Sequence, residues 1–247
     1  MNLIRKRTIL SALFLFLFFS CGIEEYYYLP KVPESNITST LTDSARIELP
    51  PIDSYYYATN YSIFYRIYIS GVTLPTIQTP GDRSSINLGL AADFNTLSRY
   101  TDASGSAVTT LNTFRSLNYY EIALDGEKIA DIFSKYGGTL EILFPTSQGF
   151  YPTVSLNNGN AIRLRRSGEL TSPEPSGDPF FRNTDGLNDN DNATALKNAD
   201  VAGRAGIAQR FTYVSMYIVA RGYNNDNFSQ IYGKPTHINI FKLPDIN

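Results

Sequence analysis

The side chains that most often carry out chemistry are scarce in this chain. It holds one histidine, His237, and one cysteine, Cys21. A Ser-His-Asp relay would have to run through His237, and no Gly-x-Ser-x-Gly elbow occurs to present a serine to it. One His and one Cys also fall short of the usual ligand set of a zinc site. Glycine-rich phosphate loops are missing too. The reading is therefore no catalytic, cofactor-binding or metal residue, with His237 an ordinary strand histidine. Carboxylates are plentiful, at 23, and a flanking pair could serve a glycosidase. No spacing singles out such a pair.

One stretch resembles a cation ligand set. In Asn183-Thr184-Asp185-Gly186-Leu187-Asn188-Asp189-Asn190-Asp191-Asn192, oxygen side chains recur around a glycine, which is the chemistry Ca²⁺ requires. The phrase partly resembles the Asp-Gly-Leu-x-Asp of thrombospondin type 3 calcium repeats. It lacks the spacing and closing Glu of an EF-hand, so Asp185 to Asn192 is expected to be a solvated loop. The sequons at Asn36, Asn60, Asn192 and Asn227 would matter only on a eukaryotic secretory route.

Cys21 carries the clearest chemistry. Arg5, Lys6 and Arg7 precede an apolar run from Ile9 to Phe19 that only Ser11 interrupts. As a helix this run reaches roughly 20 Å, short of the ~30 Å hydrocarbon core of a bilayer. A basic cluster, a short apolar run and a small residue at the cleavage point form a signal-peptide arrangement. Phe18-Phe19-Ser20-Cys21 resembles the lipobox of bacterial lipoproteins, with aromatic residues in its first two places and Leu17 one residue upstream.

The resemblance implies cleavage before Cys21, a diacylglycerol thioether on Cys21, and usually a further N-acyl chain such as palmitate. It makes a membrane the expected partner, and residues 1–20 the signal peptide. At ~0.8 kcal/mol per buried CH₂, two or more acyl chains hold a stable anchor where one would not. Gly22 resembles the outer-membrane rather than the inner-membrane sorting pattern of the cell envelope. The cysteine count agrees, because lipidation consumes the one thiol that would otherwise seek intermolecular disulfides. An ordinary cleaved secretory signal and an uncleaved anchor are the alternatives.

Without residues 1–20 the chain keeps 18 basic and 23 acidic residues, a net charge that speaks against nucleic acid as a partner. The densest basic cluster, Arg163, Arg165 and Arg166, reads as the solvated side of a strand. Residues 21–35, with Pro30 and Pro33, read as a tether. Residues 36–247 are long enough for one elaborated domain. Tyrosine (18) and phenylalanine (15) abound, which favours strands.

The strands that must position any site follow from alternation. Ala45 to Leu49 alternates apolar with charged before Pro50-Pro51. Along Tyr61 to Ser70, Tyr61, Ile63, Tyr65, Ile67 and Ile69 share one face, and Phe64 and Tyr68 lie on the other. Val214, Met216, Ile218 and Ala220 oppose Tyr213, Ser215 and Tyr217. In the final run Ile238 and Ile240 are expected to face the core, with His237, Asn239 and Phe241 opposite. These four runs resemble the B, C, F and G strands of fibronectin type III-like sandwiches. The resemblance implies a mainly β, immunoglobulin/fibronectin III-like β-sandwich, without the family's core Trp and with Tyr213 one residue out of phase.

The sandwich must then accommodate a large insertion, about residues 72–210, carrying short helices and extra strands. Helical spacing joins Leu90, Phe94 and Leu97, and also Ile129, Ile132, Phe133 and Tyr136. Leu117 to Leu124, Leu140 to Phe144 and Ala161 to Arg166 read as strands, and residues 167–200 as a long loop. The first functional reading is a non-enzymatic binding or interaction module with a protein or glycan partner. Outward-facing Phe64, Tyr68, Tyr213 and Tyr217 would suit such a surface, although the insertion is the better candidate to cover them. A carbohydrate- or solute-binding lipoprotein, with its pocket between sandwich and insertion, is the second reading. A carboxylate-dependent hydrolase is the third.

Overall fold

The computed structural model describes residues 29, 31–39, 42–51, 58–99, 107–124, 137–147, 150–167, 181, 200–203, 211–223 and 229–244. Cys21, the 129–136 helical spacing and the Asp185–Asn192 stretch lie outside them. The protein is mainly β. In chain order the strands are β1 (Ile37–Ser39), β2 (Ser44–Leu49), β3 (Ala58–Ser70), β4 (Tyr120–Glu121), β5 (Ala123–Leu124) and β6 (Gly138–Leu143). There follow β7 (Thr153–Leu156), β8 (Ile162–Arg165), β9 (Val201–Ala202), β10 (Phe211–Tyr223), β11 (Gln230–Tyr232) and β12 (Thr236–Lys242).

They form two sheets. The first runs β1-β2-β6-β7-β8-β5, and the second β11-β10-β3-β4, with β12 also on β10 and β9 on β3. Of these pairings only β3–β9 is parallel. The expected alternation of β2 holds, with Ala45, Ile47 and Leu49 buried and Arg46 and Glu48 exposed. Those three meet Tyr61, Ile63, Tyr65, Ile67 and Ile69 of β3 and Val214, Met216, Ile218 and Ala220 of β10 in one core between the sheets. Leu29 and Val32, inside the segment read as a tether, are buried in that core as well.

The sandwich is stitched along both sides. On one side the chain changes sheets at Ile122, between β4 and β5, and the Ile122 amide donates to the Ile63 carbonyl at 2.9 Å. On the other, the Lys242 amide donates to Thr42 O at 2.7 Å and Asn239 Nδ2 to Ser44 O at 3.2 Å. Strands that switch sheets make the corners of such closed packings.

The insertion is not an appendage. Its strands β5 to β8 supply most of the first sheet, and its helices cover the outer face of the second. The helices are α1 (Pro80–Ile86), α2 (Leu88–Ser98) and α3 (Ala107–Ser116). α1 starts on a reciprocal capping box, Asp82 N to Thr79 Oγ1 at 3.2 Å and Thr79 N to Asp82 Oδ2 at 2.8 Å, with Pro80 at the first helical position. This satisfies two amides that a helix start leaves bare. Asn87 caps α2 through the Gly89 amide and also donates to Ile69 O at 3.1 Å, tying the helix to the end of β3. Leu90 and Leu97 of α2 are buried, as their spacing predicts, and Phe94 is half-buried.

Three expectations need correction. The β10–β12 register shifts between Met216 and Tyr217, so that Ile238 lies in a bulge. A bulge moves later residues to the other face. Ile240 therefore packs under the helices, while Phe241 turns into the inter-sheet core and stacks on Phe144 with centroids 4.3 Å apart. Leu117 to Leu124 is two short strands, because the sheet change at Ile122 breaks it. Arg166 is not solvated; it is buried against Asp200. Phe64, Tyr68, Tyr213 and Tyr217 are covered by the helical layer, the outcome expected of the insertion.

Candidate functional site between the sheet and its helices

The layer between the second sheet and the helices is where polar groups gather. Its deeper part is a connected chain. Asp93, on the buried face of α2, accepts from Arg66 Nη1 at 2.5 Å and from the Tyr68 hydroxyl. Tyr68 and Tyr119 exchange a hydroxyl contact of 3.1 Å, and Tyr119 donates to Ser215 Oγ at 3.2 Å. Burial drives the ionisation of Tyr68 and Tyr119 upward, and the Asp93 charge adds to it. Both phenols therefore remain neutral donors. The linked bonds favour a single packing, with Arg66 Nε the one buried atom of the network left without a partner among the described residues.

Beside this chain lies a second group that is not satisfied. The bulge in β12 sets His237 opposite Tyr217, and their rings meet edge-on at 5.0 Å. Phe94 meets His237 at 5.1 Å, and the Arg83 guanidinium lies 3.5 Å from the Phe94 ring centroid. Tyr217 Oη, His237 Nε2 and Arg83 Nε are all shut off from water and have no hydrogen-bond partner among the described residues. Tyr217 is 1 % exposed. Ser215 lies near enough to favour the ionised form of Tyr217 slightly, but not in hydrogen-bond geometry.

Electrostatics keeps this group in an unusual state. Burial first, and the Arg83 charge second, hold His237 down to about 3, so the ring is neutral over the physiological range. Burial pushes Tyr217 up, and pushes Arg83 below the usual guanidinium range. The carboxylate next to Arg83 in sequence, Asp82, is engaged by the Gln78 and Thr79 amides. Arg83 thus brings a partly desolvated positive charge to two neutral groups that can both donate.

For a hydrolytic relay His237 has neither a serine nor a carboxylate bonded to Nε2 among the described residues. The best-placed carboxylate pair is Glu48 and Glu141, on the exposed face of the first sheet. Arg46 bridges them at 3.0 Å each, and Thr139 donates to Glu48 at 2.9 Å. The Thr139 bond, then Arg46, holds Glu48 below its usual range. A general acid requires the opposite shift. Among the described residues no group of three or more His, Cys, Asp or Glu side chains could hold a metal ion, and no helix is long and apolar enough to cross a membrane.

Of the residues singled out by sequence, His237, Phe94 and Tyr217 come together, whereas Phe64, Tyr68 and Tyr213 spread along the same buried layer. Arg163 is exposed beside the Tyr151 ring, 4.6 Å from its centroid, while Arg166 turns inward. Asn36 donates to Glu48 O at 2.8 Å and Asn60 is buried. Arg83, Asp93 and Tyr119 escaped notice. The Thr79-Pro80-Gly81-Asp82 start signal places Arg83 in a helix, but nothing local ties it to a strand more than a hundred residues away.

No protein-family model, no curated protein and no solved structure matches this chain.

Proposed function

We propose that this protein is a lipid-anchored, non-enzymatic binding module of the bacterial cell envelope, attached through Cys21, with its ligand seat between the sandwich and the helical layer. The observation that carries the reading is the cluster of Tyr217, His237, Phe94 and Arg83, in which Tyr217 Oη, His237 Nε2 and Arg83 Nε are each unpartnered among the described residues. A buried polar group left unsatisfied costs ~1–3 kcal/mol. Three together form a defect that packing alone does not explain, and a bound ligand would supply the missing bonds. The same observation favours the solute-binding reading over an aromatic docking face. Phe64, Tyr68, Tyr213 and Tyr217 are all at most 2 % exposed.

The finer kinship to fibronectin type III-like folds belongs to this proposal too. It is supported by β2 lying in one sheet and β3, β10 and β12 in the other, with β12 beside β10. The immunoglobulin order A-B-E-D requires the strand beside B to follow its outer neighbour in the chain. Here β6, beside β2, precedes β7, so any kinship is at the level of architecture.

Two measurements test the reading. Cys21→Ala should lose the label from a tagged fatty acid fed to cells, and undiminished label would sink the anchor. His237 is the only histidine, so ¹³C-histidine labelling gives one ring signal inside the seat. That signal should move saturably with at least one of acetate, inorganic phosphate or glucose. A ring signal indifferent to all three removes the seat.

A further inference from the structure

We infer that the seat takes an oxyanion, a carboxylate or phosphate group, held by Arg83, Tyr217 and the neutral ring of His237. This rests on the binding-module reading above and adds the chemical class of the ligand. Three features of the site point to it. Arg83 Nε is a donor and cannot accept. The Tyr217 hydroxyl and a neutral imidazole with its proton on Nε2 donate as well, and all three of these atoms lack an acceptor among the described residues. Arg83 Nε can only donate, and Tyr217 and neutral His237 can each donate beside it, so a group rich in lone pairs would satisfy all three at once.

Charge selects the same class. The other cation in the layer, Arg66, is already paired with Asp93 at 2.5 Å, and Asp82 is occupied by the cap of α1. Arg83 has no ion pair within contact distance among the described residues; burial weakens its hold on its own proton, and Asp82 offsets this only in part. A partly desolvated guanidinium gains most from an anion, because charge-assisted bonds are roughly twice as strong as neutral ones. Arg83, Phe94 and His237 are the partly exposed members of the cluster, and Tyr217 lies beneath them. Phe94 carries the guanidinium plane and limits where its fork can point.

The experiment follows the His237 ring signal of the full-length protein while acetate, inorganic phosphate, glucose or sodium chloride at matched ionic strength is added. At least one oxyanion should shift the ring saturably where chloride does not, and the comparison of acetate with phosphate identifies which group is held. Arg83→Gln should weaken that binding by roughly tenfold or more. Tyr217→Phe should also weaken it, yet raise the melting temperature of the ligand-free protein, since it deletes a buried hydroxyl with no partner. A ring that responds to glucose but to neither oxyanion overturns the oxyanion and leaves the seat standing. A ring that responds to nothing overturns both. Equal responses to chloride and oxyanion, or unchanged affinity in Arg83→Gln, also overturn the inference. Should Arg83→Gln fail to fold, Tyr217→Phe keeps charge and shape and decides alone: wild-type affinity in it overturns the proposal.

Discussion

Asp200 receives both prongs of the Arg166 guanidinium inside the core between the sheets, at 2.7 and 3.0 Å. The Tyr65 hydroxyl donates to the same carboxylate at 2.7 Å, and the Ile67 amide donates to the Asp200 carbonyl at 2.9 Å. The pair fastens β9 and the end of β8 to β3. Breaking it from one side leaves a buried charge alone, which costs about 3–5 kcal/mol. Asp200→Asn and Arg166→Met should each lose stability on that scale in urea denaturation. The double variant Arg166→Met/Asp200→Leu should lose less than either.

His237 makes stability depend on pH in a defined direction. Its ordinary value of 6.5 is held down to about 3 in the folded protein by burial and then by Arg83. Between those values the unfolded chain binds a proton that the folded one refuses. Stability is therefore full above pH 6.5, falls as pH drops through the window, and levels off near 3. One proton sets a limiting slope of about 1.4 kcal/mol per pH unit, and the partial exposure of the residue keeps the observed slope below that limit. Carboxylates titrate in the same range, so the measurement is the difference between wild type and His237→Phe, whose profile should be flatter.

Gly137 has φ of +79°, and a Cβ there would come within 2.6 Å of the Leu49 carbonyl oxygen. Strain of this kind costs about 1–3 kcal/mol, and the neighbour is backbone that pairs with β6. Gly137→Ala should lower the urea midpoint accordingly, with no change in the His237 ring signal.

Phe114 of α3 stacks on Phe64 of β3, centroids 4.3 Å apart, and also touches Tyr119 and Tyr217. Phe114→Ala should cost about 3–5 kcal/mol and loosen the helical cover. Hydrogen exchange should then quicken at the amides of α3 and of β11, which α3 contacts, ahead of those between β2 and β6.

What could be read in advance was whatever water imposes on neighbours in sequence. Ala45 to Leu49 alternates because one face of β2 is wet. β3 and β10 carry large apolar side chains on both faces because core lies on one and helices on the other. Leu90 and Leu97 keep helical spacing for the same reason. What escaped is long-range. A bulge opposite Tyr217 leaves no mark in Thr236 to Lys242, yet it decides that His237 rather than Ile238 meets Tyr217. Arg166 shows its charge in the sequence but not its partner Asp200, which lies 34 residues further on. The candidate site was legible only as the suggestion of a pocket between sandwich and insertion; Arg83 could not be joined to β12 without the fold.

The pairing of β3 with β10 runs over almost the full length of both, from Phe211 opposite Ser70 to Gly222 opposite Ala58. The partners are about 140 residues or more apart in the chain, and contacts of such separation are formed late and slowly. A chain emerging from its amino end must hold β3, apolar on both faces, without its neighbour until nearly the whole protein has appeared. Folding of this molecule therefore has a waiting period written into its topology, during which β3 is the segment that most needs shielding.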